Sequence, residues 1–275
     1  MEKADHPVLG ILRLDYDYPP APGDIDHPDT YNYDVIYRVI PGLTFEMCQS
    51  GLITHKVLEN IIDAVKFLDS KNVSGITGDC GFMINIQQVV TQHTSKPVFL
   101  TSLVQLPTII NTFSKDEVIA VFTANSDTLD PIKTHLKRMC GIPENENRIL
   151  IVGCQHVDGF QAVALGEKVD VEKVTPGIVE LAKEVVYENP NVKCILLECT
   201  ELPPYADSLR AEIGIPVYDA ITNCDSFMSG FLDTKNFGLN NWQKKWDGVQ
   251  DAYKFGDNLS EEEKSKLVNT IEKKK

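Results

Sequence analysis

Two cysteines in this chain stand where a thiol can do chemistry. Cys199 lies in Lys193-Cys-Ile-Leu-Leu-Glu-Cys-Thr-Glu-Leu-Pro-Pro-Tyr205, directly after an apolar run, Ile195 to Leu197, that reads as a buried parallel strand. A helix is expected to open near Tyr205. Cys80 repeats the arrangement upstream: Val73-Ser-Gly-Ile-Thr-Gly78 reads as a strand, Asp79-Cys80-Gly81 as its tip, and a helix is expected from about Phe82. Open α/β sheets take their ligands at the carboxyl ends of strands. The two thiols are therefore expected to face each other across one cleft.

A thiol at a helix N-terminus feels the positive end of the helix and a set of backbone N–H groups, both of which lower its pKa. The same N–H groups can hold a substrate carboxylate. One constellation can thus bind a small carboxylate and place a thiolate base beside the carbon next to it. Taking a proton from that carbon concentrates charge on the carboxylate oxygens, and preorganised donors are the expected remedy. Thr77, Thr200, Thr123, Ser126 and the amide of Asn125 are candidate donors, with Gly81 and Phe82 at the first tip. No metal or organic cofactor is required. Asp79 is expected to raise the Cys80 pKa unless it points away or is paired, for instance by holding the N-terminal loop. Glu201 either caps the following helix or enters the site.

Most free cysteines are small buried hydrophobes. Cys48, Cys140, Cys194 and Cys224 read that way; Cys154, also at a strand tip, is a further candidate to line the cleft, and His156 reads as a surface residue. The seven cysteines are scattered and form no C-x-x-C, so neither a zinc knuckle nor a thioredoxin motif is supported, and a reducing, cytoplasmic setting is expected. The 275 residues, 43% of them hydrophobic, suffice for a real core. A net charge of −14 argues against nucleic acid or an anionic membrane as partner. No secretory signal pattern opens the chain and no apolar run approaches the roughly 18 residues of a membrane span. A homo-oligomer is admitted by the sequence but not specified.

Strands are expected at Val8–Leu14, Tyr33–Ile40, Val73–Gly78, Pro97–Leu100, Glu117–Thr123, Arg148–Gly153, Ile195–Leu197 and Gly214–Asp219, alternating with helices. The first helix, about Lys56 to Asp69, carries Val57, Ile61, Val65 and Leu68 on one face. Another is expected to start with Thr175 as N-cap and Pro176 at its first position. Ser260 with Glu263 reads as a capping box, after a stretch holding Trp242 and Trp246. Between the first two strands, Asp15-Tyr-Asp-Tyr-Pro-Pro-Ala-Pro-Gly-Asp24 is a long, stiffened loop at a strand tip. The fold class that follows is α/β, with parallel sheets flanked by helices. Residues 1–114 with 212–275 are expected to form one lobe, 115–211 the other.

Glu198-Cys-Thr-Glu-Leu-Pro203 resembles the second cysteine motif of the aspartate/glutamate racemase superfamily, and Gly78-Asp-Cys-Gly-Phe82 stands in the place of the first. Pro22-Gly-Asp-Ile25, Phe122-Thr-Ala-Asn-Ser126 and Pro216-Val-Tyr-Asp219 extend the likeness over most of the chain. Arg13-Leu-Asp-Tyr-Asp-Tyr-Pro-Pro-Ala-Pro-Gly-Asp24, Gly42-Leu-Thr-Phe-Glu-Met47 and Gly75-Ile-Thr-Gly-Asp-Cys-Gly-Phe82 are most similar to the algal dimethylsulfoniopropionate lyase branch. The resemblance implies two pseudo-symmetric Rossmann-like lobes with the cysteine pair at their interface, and a lyase releasing dimethyl sulfide and acrylate. The substrate sulfonium this implies is a cation without N–H donors, to be received by aromatic faces and carboxylates; Tyr16, Tyr18, Asp15 and Asp17 in the long loop are the candidates, with Asp79 a further one. A racemase needs both cysteines as bases, whereas an elimination needs one. The rival readings are an amino-acid racemase and a non-catalytic protein that binds small acids.

Overall fold

Apolar strands alternating with amphipathic helices satisfy their backbones and bury their side chains together only as parallel sheets covered by helices. The computed structural model describes residues 7–232 and 260–262. Its strands are β1 (Val8–Arg13), β2 (Asp34–Val39), β3 (Gly75–Gly78), β4 (Val118–Thr123), β5 (Ile149–Gly153), β6 (Val192–Leu197) and β7 (Val217–Tyr218). They make two sheets, ordered β2-β1-β3 and β5-β4-β6-β7, with every pair parallel. In both, the earliest strand is flanked by the second on one side and the third on the other. A bridge from Ile76 to Val98 stands beside β3 as β7 stands beside β6. This repeated order is the pseudo-symmetry that makes Cys80, after β3, the counterpart of Cys199, after β6.

The period-two alternation of strand side chains assigns each face to a different core. Ile119 and Val121 of β4, with Cys194 and Leu196 of β6, join a core that also holds Leu12, Ile76 and the helix His55–Ser70, so one apolar body serves both sheets. Ala120, Phe122, Ile195 and Leu197 point the other way, against the helix Val171–Glu188. Leu9 and Ile11 meet Ile25, Phe99 and Met228 in a third cluster. Helix His55–Ser70 buries Val57, Ile61, Ala64, Val65 and Leu68, the stripe its spacing predicts, and Thr54 caps it by accepting from the Val57 N–H.

Several expectations are corrected. Helix Val171–Glu188 begins a turn earlier than expected: Asp170 accepts from the Lys173 N–H as N-cap, Pro176 lies inside, and Thr175 donates its hydroxyl to the Val171 carbonyl. Thr175 already lies within the helix that Asp170 starts, so its hydroxyl bonds back to the preceding turn instead of capping. Pro97–Leu100 contributes only the bridge at Val98. β7, expected with the first lobe, hydrogen-bonds to β6 and extends the second sheet; the helix after it, Ala220–Met228, packs Ala220, Cys224 and Met228 against β1. Trp242, Trp246 and the Glu263 half of the capping box lie outside the described residues, as do residues 1–6, 233–259 and 263–275. Among the described residues, no helix is long and apolar enough to cross a membrane.

Candidate active site

Each cysteine follows a carboxylate that extends its strand by one residue. The Asp79 N–H donates to the Leu12 carbonyl, and the Glu198 N–H to that of Phe122. The two loops are then tied together: the Thr200 hydroxyl donates to the Asp79 carbonyl at 2.5 Å. Ser102 secures the end of β6 by donating to the Leu197 carbonyl at 2.8 Å. Cys80 and Cys199 open onto a single cavity of about 340 Å³. Three phenylalanines (Phe45, Phe82, Phe160) and three glutamates (Glu46, Glu198, Glu201) share its lining, with the amides of Gln49, Asn125, Gln155 and Gln161. Among the described residues, no Lys, Arg or His lines it. Nor, among them, do three or more His, Cys, Asp or Glu side chains cluster as metal ligands would.

The expected activation of the thiols by helix N-termini does not hold. Cys80 caps a 3-10 helix, Gly81–Ile86, and the turn after Cys199 begins only at Pro203. Short 3-10 segments carry little dipole, and burial prevails. Both thiol pKa values are pushed well above the ordinary thiol range, first by burial and then by neighbours: Cys48, Asp79, Glu198 and Glu201 for Cys80, Glu201 and Glu198 for Cys199. Cys199 instead has an acceptor for its proton, since its Sγ donates to Glu201 Oε2 at 2.8 Å. Burial lifts Glu201 to about 7 against the bond from Cys199, with Asp26 adding to the rise. Glu198 is also lifted to about 7 by burial, against the bond from Thr123 and with help from Glu201. Carboxylates that titrate near neutrality are suited to holding a proton in transit.

The structure sorts the residues expected at the site into three groups. Gly81, Phe82, Asn125, Thr200 and Glu201 line the cavity with the cysteines. Others stand behind its wall. Thr123 donates to Glu198 Oε2 at 2.8 Å. Ser126 accepts from Gln155 Nε2 at 3.0 Å and donates its N–H to Gln155 Oε1. Asp79 turns both oxygens to the Leu14 N–H, with Arg13 at 3.9 Å, and so holds the start of the long loop. Tyr16 sets its ring edge-on against Phe45 and donates its hydroxyl to the Val163 carbonyl.

The last group lies outside this cavity's lining and makes its hydrogen bonds elsewhere. Asp15 accepts from the Gly42 N–H, Tyr18 donates to Asp24, and Thr77 donates to the Phe99 carbonyl; Asp17 is exposed. Glu201 does not cap the next helix; its carboxylate goes to Cys199 and Thr200. Cys154 is fully buried outside the cavity lining.

Glu198 went unmarked in the sequence although its signal is there: an acid precedes each cysteine. Phe160 and Gln161 come from the loop after β5, and Val163 and Ala164 from the one-turn helix Ala162–Leu165, too short to show a periodic pattern in the sequence. Tyr16 joins that stretch to the long loop. Tyr16→Phe is therefore expected to cost about 1 kcal/mol in urea unfolding, the net worth of one hydrogen bond, with the far-ultraviolet spectrum unchanged.

No protein-family model matches the chain. It is 52% identical over 269 residues to dimethylsulfoniopropionate lyase 7 of Emiliania huxleyi (strain CCMP1516), covering 96% of this chain and 79% of that one. It is 49% identical over 260 residues to a dimethylsulfoniopropionate lyase of Durusdinium sp. clade D, covering 94% and 86%. Among solved structures it resembles unliganded arylmalonate decarboxylase, with a TM-score of 0.53 at 16% identity over 84% of this chain and 96% of that one. Allantoin racemase from Klebsiella pneumoniae gives 0.51 at 12% identity, over 82% and 86%. These last two likenesses concern the fold.

Proposed function

The chain belongs to the dimethylsulfoniopropionate lyase family, and on that premise we propose that it cleaves dimethylsulfoniopropionate to dimethyl sulfide and acrylate with Cys199 as the base. The observation that carries the reading is the cavity's make-up: two thiols, three phenylalanines, three carboxylates and, among the described residues, no basic side chain. A cation without N–H donors suits such walls.

Glu201 takes the proton of the Cys199 thiol across their 2.8 Å contact. The resulting thiolate, supported by the Glu201 N–H, removes the proton α to the substrate carboxylate. The electron pair released forms the carbon–carbon double bond as the β carbon–sulfur bond breaks, and dimethyl sulfide leaves neutral. Cys199 is again a thiol, and the proton on Glu201 passes to solvent. The amides of Asn125, Gln155 and Gln161 supply N–H donors for the carboxylate as it gains charge. Cys80, kept protonated by burial, adds a further donor. A leaving group that departs uncharged asks for neither redox chemistry nor a Lewis acid, so the reaction as proposed is independent of cofactors.

Two thiols at equivalent positions also suit a two-base racemase. Against it, the second carboxylate of aspartate or glutamate would face Glu198 and Glu201 with, among the described residues, no Lys, Arg or His in the lining to meet it. The purified chain is expected to release dimethyl sulfide into the headspace over dimethylsulfoniopropionate and to leave the α proton of L-aspartate unexchanged in heavy water. Exchange with inversion and no gas is the opposite result.

The pH profile follows from Glu201. Below about pH 7 its carboxylate is protonated and cannot accept from Cys199, so kcat/KM should climb with pH toward about 7 and level off above it. Glu201→Gln is expected to remove that rise and to lower kcat by about 10² to 10³. A variant that keeps the wild-type profile would show that Glu198, the other carboxylate near 7, governs it instead.

A further inference from the structure

Three buried side-chain oxygens among the described residues have no hydrogen-bond partner: Asp26 Oδ1, Asn223 Oδ1 and Glu198 Oε1. Only Glu198 lines the cavity. Asp26 is already paired with Arg13 at 3.0 Å, whereas no ion pair to Glu198 is found among the described residues. Glu198 is 1% exposed. Thr123 holds its Oε2, which keeps the side chain from swinging away, and its Oε1 rests over Gly81, where a side chain would collide with it. The other two glutamates of the lining are differently placed: Glu201 serves Cys199 and Thr200, and Glu46 is exposed.

A carboxylate buried without a counter-charge is costly, and an unpartnered oxygen fixed beside a cavity marks where that charge can arrive. We infer that Glu198 recognises the positive end of the occupant and makes the cavity selective for onium carboxylates over carboxylates of the same shape that lack the positive end. The inference rests on the proposed lyase reading and assigns the residue that sets its substrate class. An ammonium would need an acceptor for each of its N–H groups, and Glu198 leaves one oxygen without a partner, packed against Gly81. A sulfonium or quaternary ammonium needs only a field in a poorly screened space and the faces of Phe45, Phe82 and Phe160.

Calorimetric titration of the full chain with 3-(trimethylammonio)propanoate and its isostere with an uncharged tert-butyl end, 4,4-dimethylpentanoate, tests this. The wild-type protein should bind the cation about 30-fold more tightly, a difference of about 2 kcal/mol. Glu198→Gln should bring the two affinities within about threefold of each other by weakening the cation alone. Equal wild-type affinities, or a variant that weakens both ligands alike, overturn the inference. Should the glutamine variant not fold, Glu198→Asp, which keeps the charge, must still prefer the cation by about tenfold or more; parity there overturns it as well. Headspace dimethyl sulfide is read separately. Gas without charge selectivity removes Glu198 from this role and leaves the lyase reading standing, while selectivity without gas does the reverse.

Discussion

Cys199→Ala is expected to lower dimethyl sulfide release by about 10⁴, the upper range for loss of a positioned base, while the protein unfolds in urea close to the wild-type midpoint. Sγ is the atom in contact with Glu201 Oε2, and no other thiol of the cavity has such an acceptor. Cys80 shares the cavity, but its neighbours only raise its pKa, so its part in the proposed reaction is that of a neutral donor. Cys80→Ala should accordingly cost less, about 10² to 10³, the range seen when one donor to a developing oxyanion is removed. The order of the two effects is the informative result. Equal losses would favour the two-base arrangement of a racemase, and a larger loss at Cys80 would exchange the assigned roles.

Gly81→Ala is expected to lower both activity and stability without touching a reacting atom. A methyl group at that position would overlap the Glu198 carboxyl group and come within 2.7 Å of the Glu198 backbone carbonyl. The carboxyl group cannot retreat while Thr123 holds Oε2, and the carbonyl can move only by shifting the loop that carries Cys199. The two cysteine loops must therefore part. A displacement on this scale at a reacting centre costs about 10² in rate, and overpacking of this kind about 1–3 kcal/mol in stability. Gly230→Ala is the natural control: none of the described residues lies within 4 Å of the added carbon, so stability should stay within about 0.5 kcal/mol and activity should not change.

Strand tips and periodic faces were legible because they depend on local pattern. The apolar runs before Asp79 and Glu198 become β3 and β6, and the stripe Val57, Ile61, Val65, Leu68 becomes a buried helix face. Pairing of the two cysteines followed from the rule that ligands collect at strand tips. Side-chain directions were not legible. Tyr18 and Asp15 have the right chemistry for a sulfonium, but the turns of the long loop point them to Asp24 and Gly42. Thr77 lies in β3 with its hydroxyl turned to Phe99, one register step from the tip. The protonation of the thiols was also beyond the sequence, since it is decided by how deeply the loops bury them and by carboxylates brought in from other segments. A periodic apolar stripe can be read from residue types; the depth of a pocket cannot.

The most direct test of the central claim, that a Cys199 thiolate takes the α proton in this cavity, is a single-turnover measurement of dimethyl sulfide release from dimethylsulfoniopropionate bearing deuterium or hydrogen at the α carbon. The wild-type chain should release gas more slowly from the deuterated substrate, and Cys199→Ala should release none above background from either. Equal single-turnover rates for the two substrates, together with undiminished release by Cys199→Ala, would contradict the account.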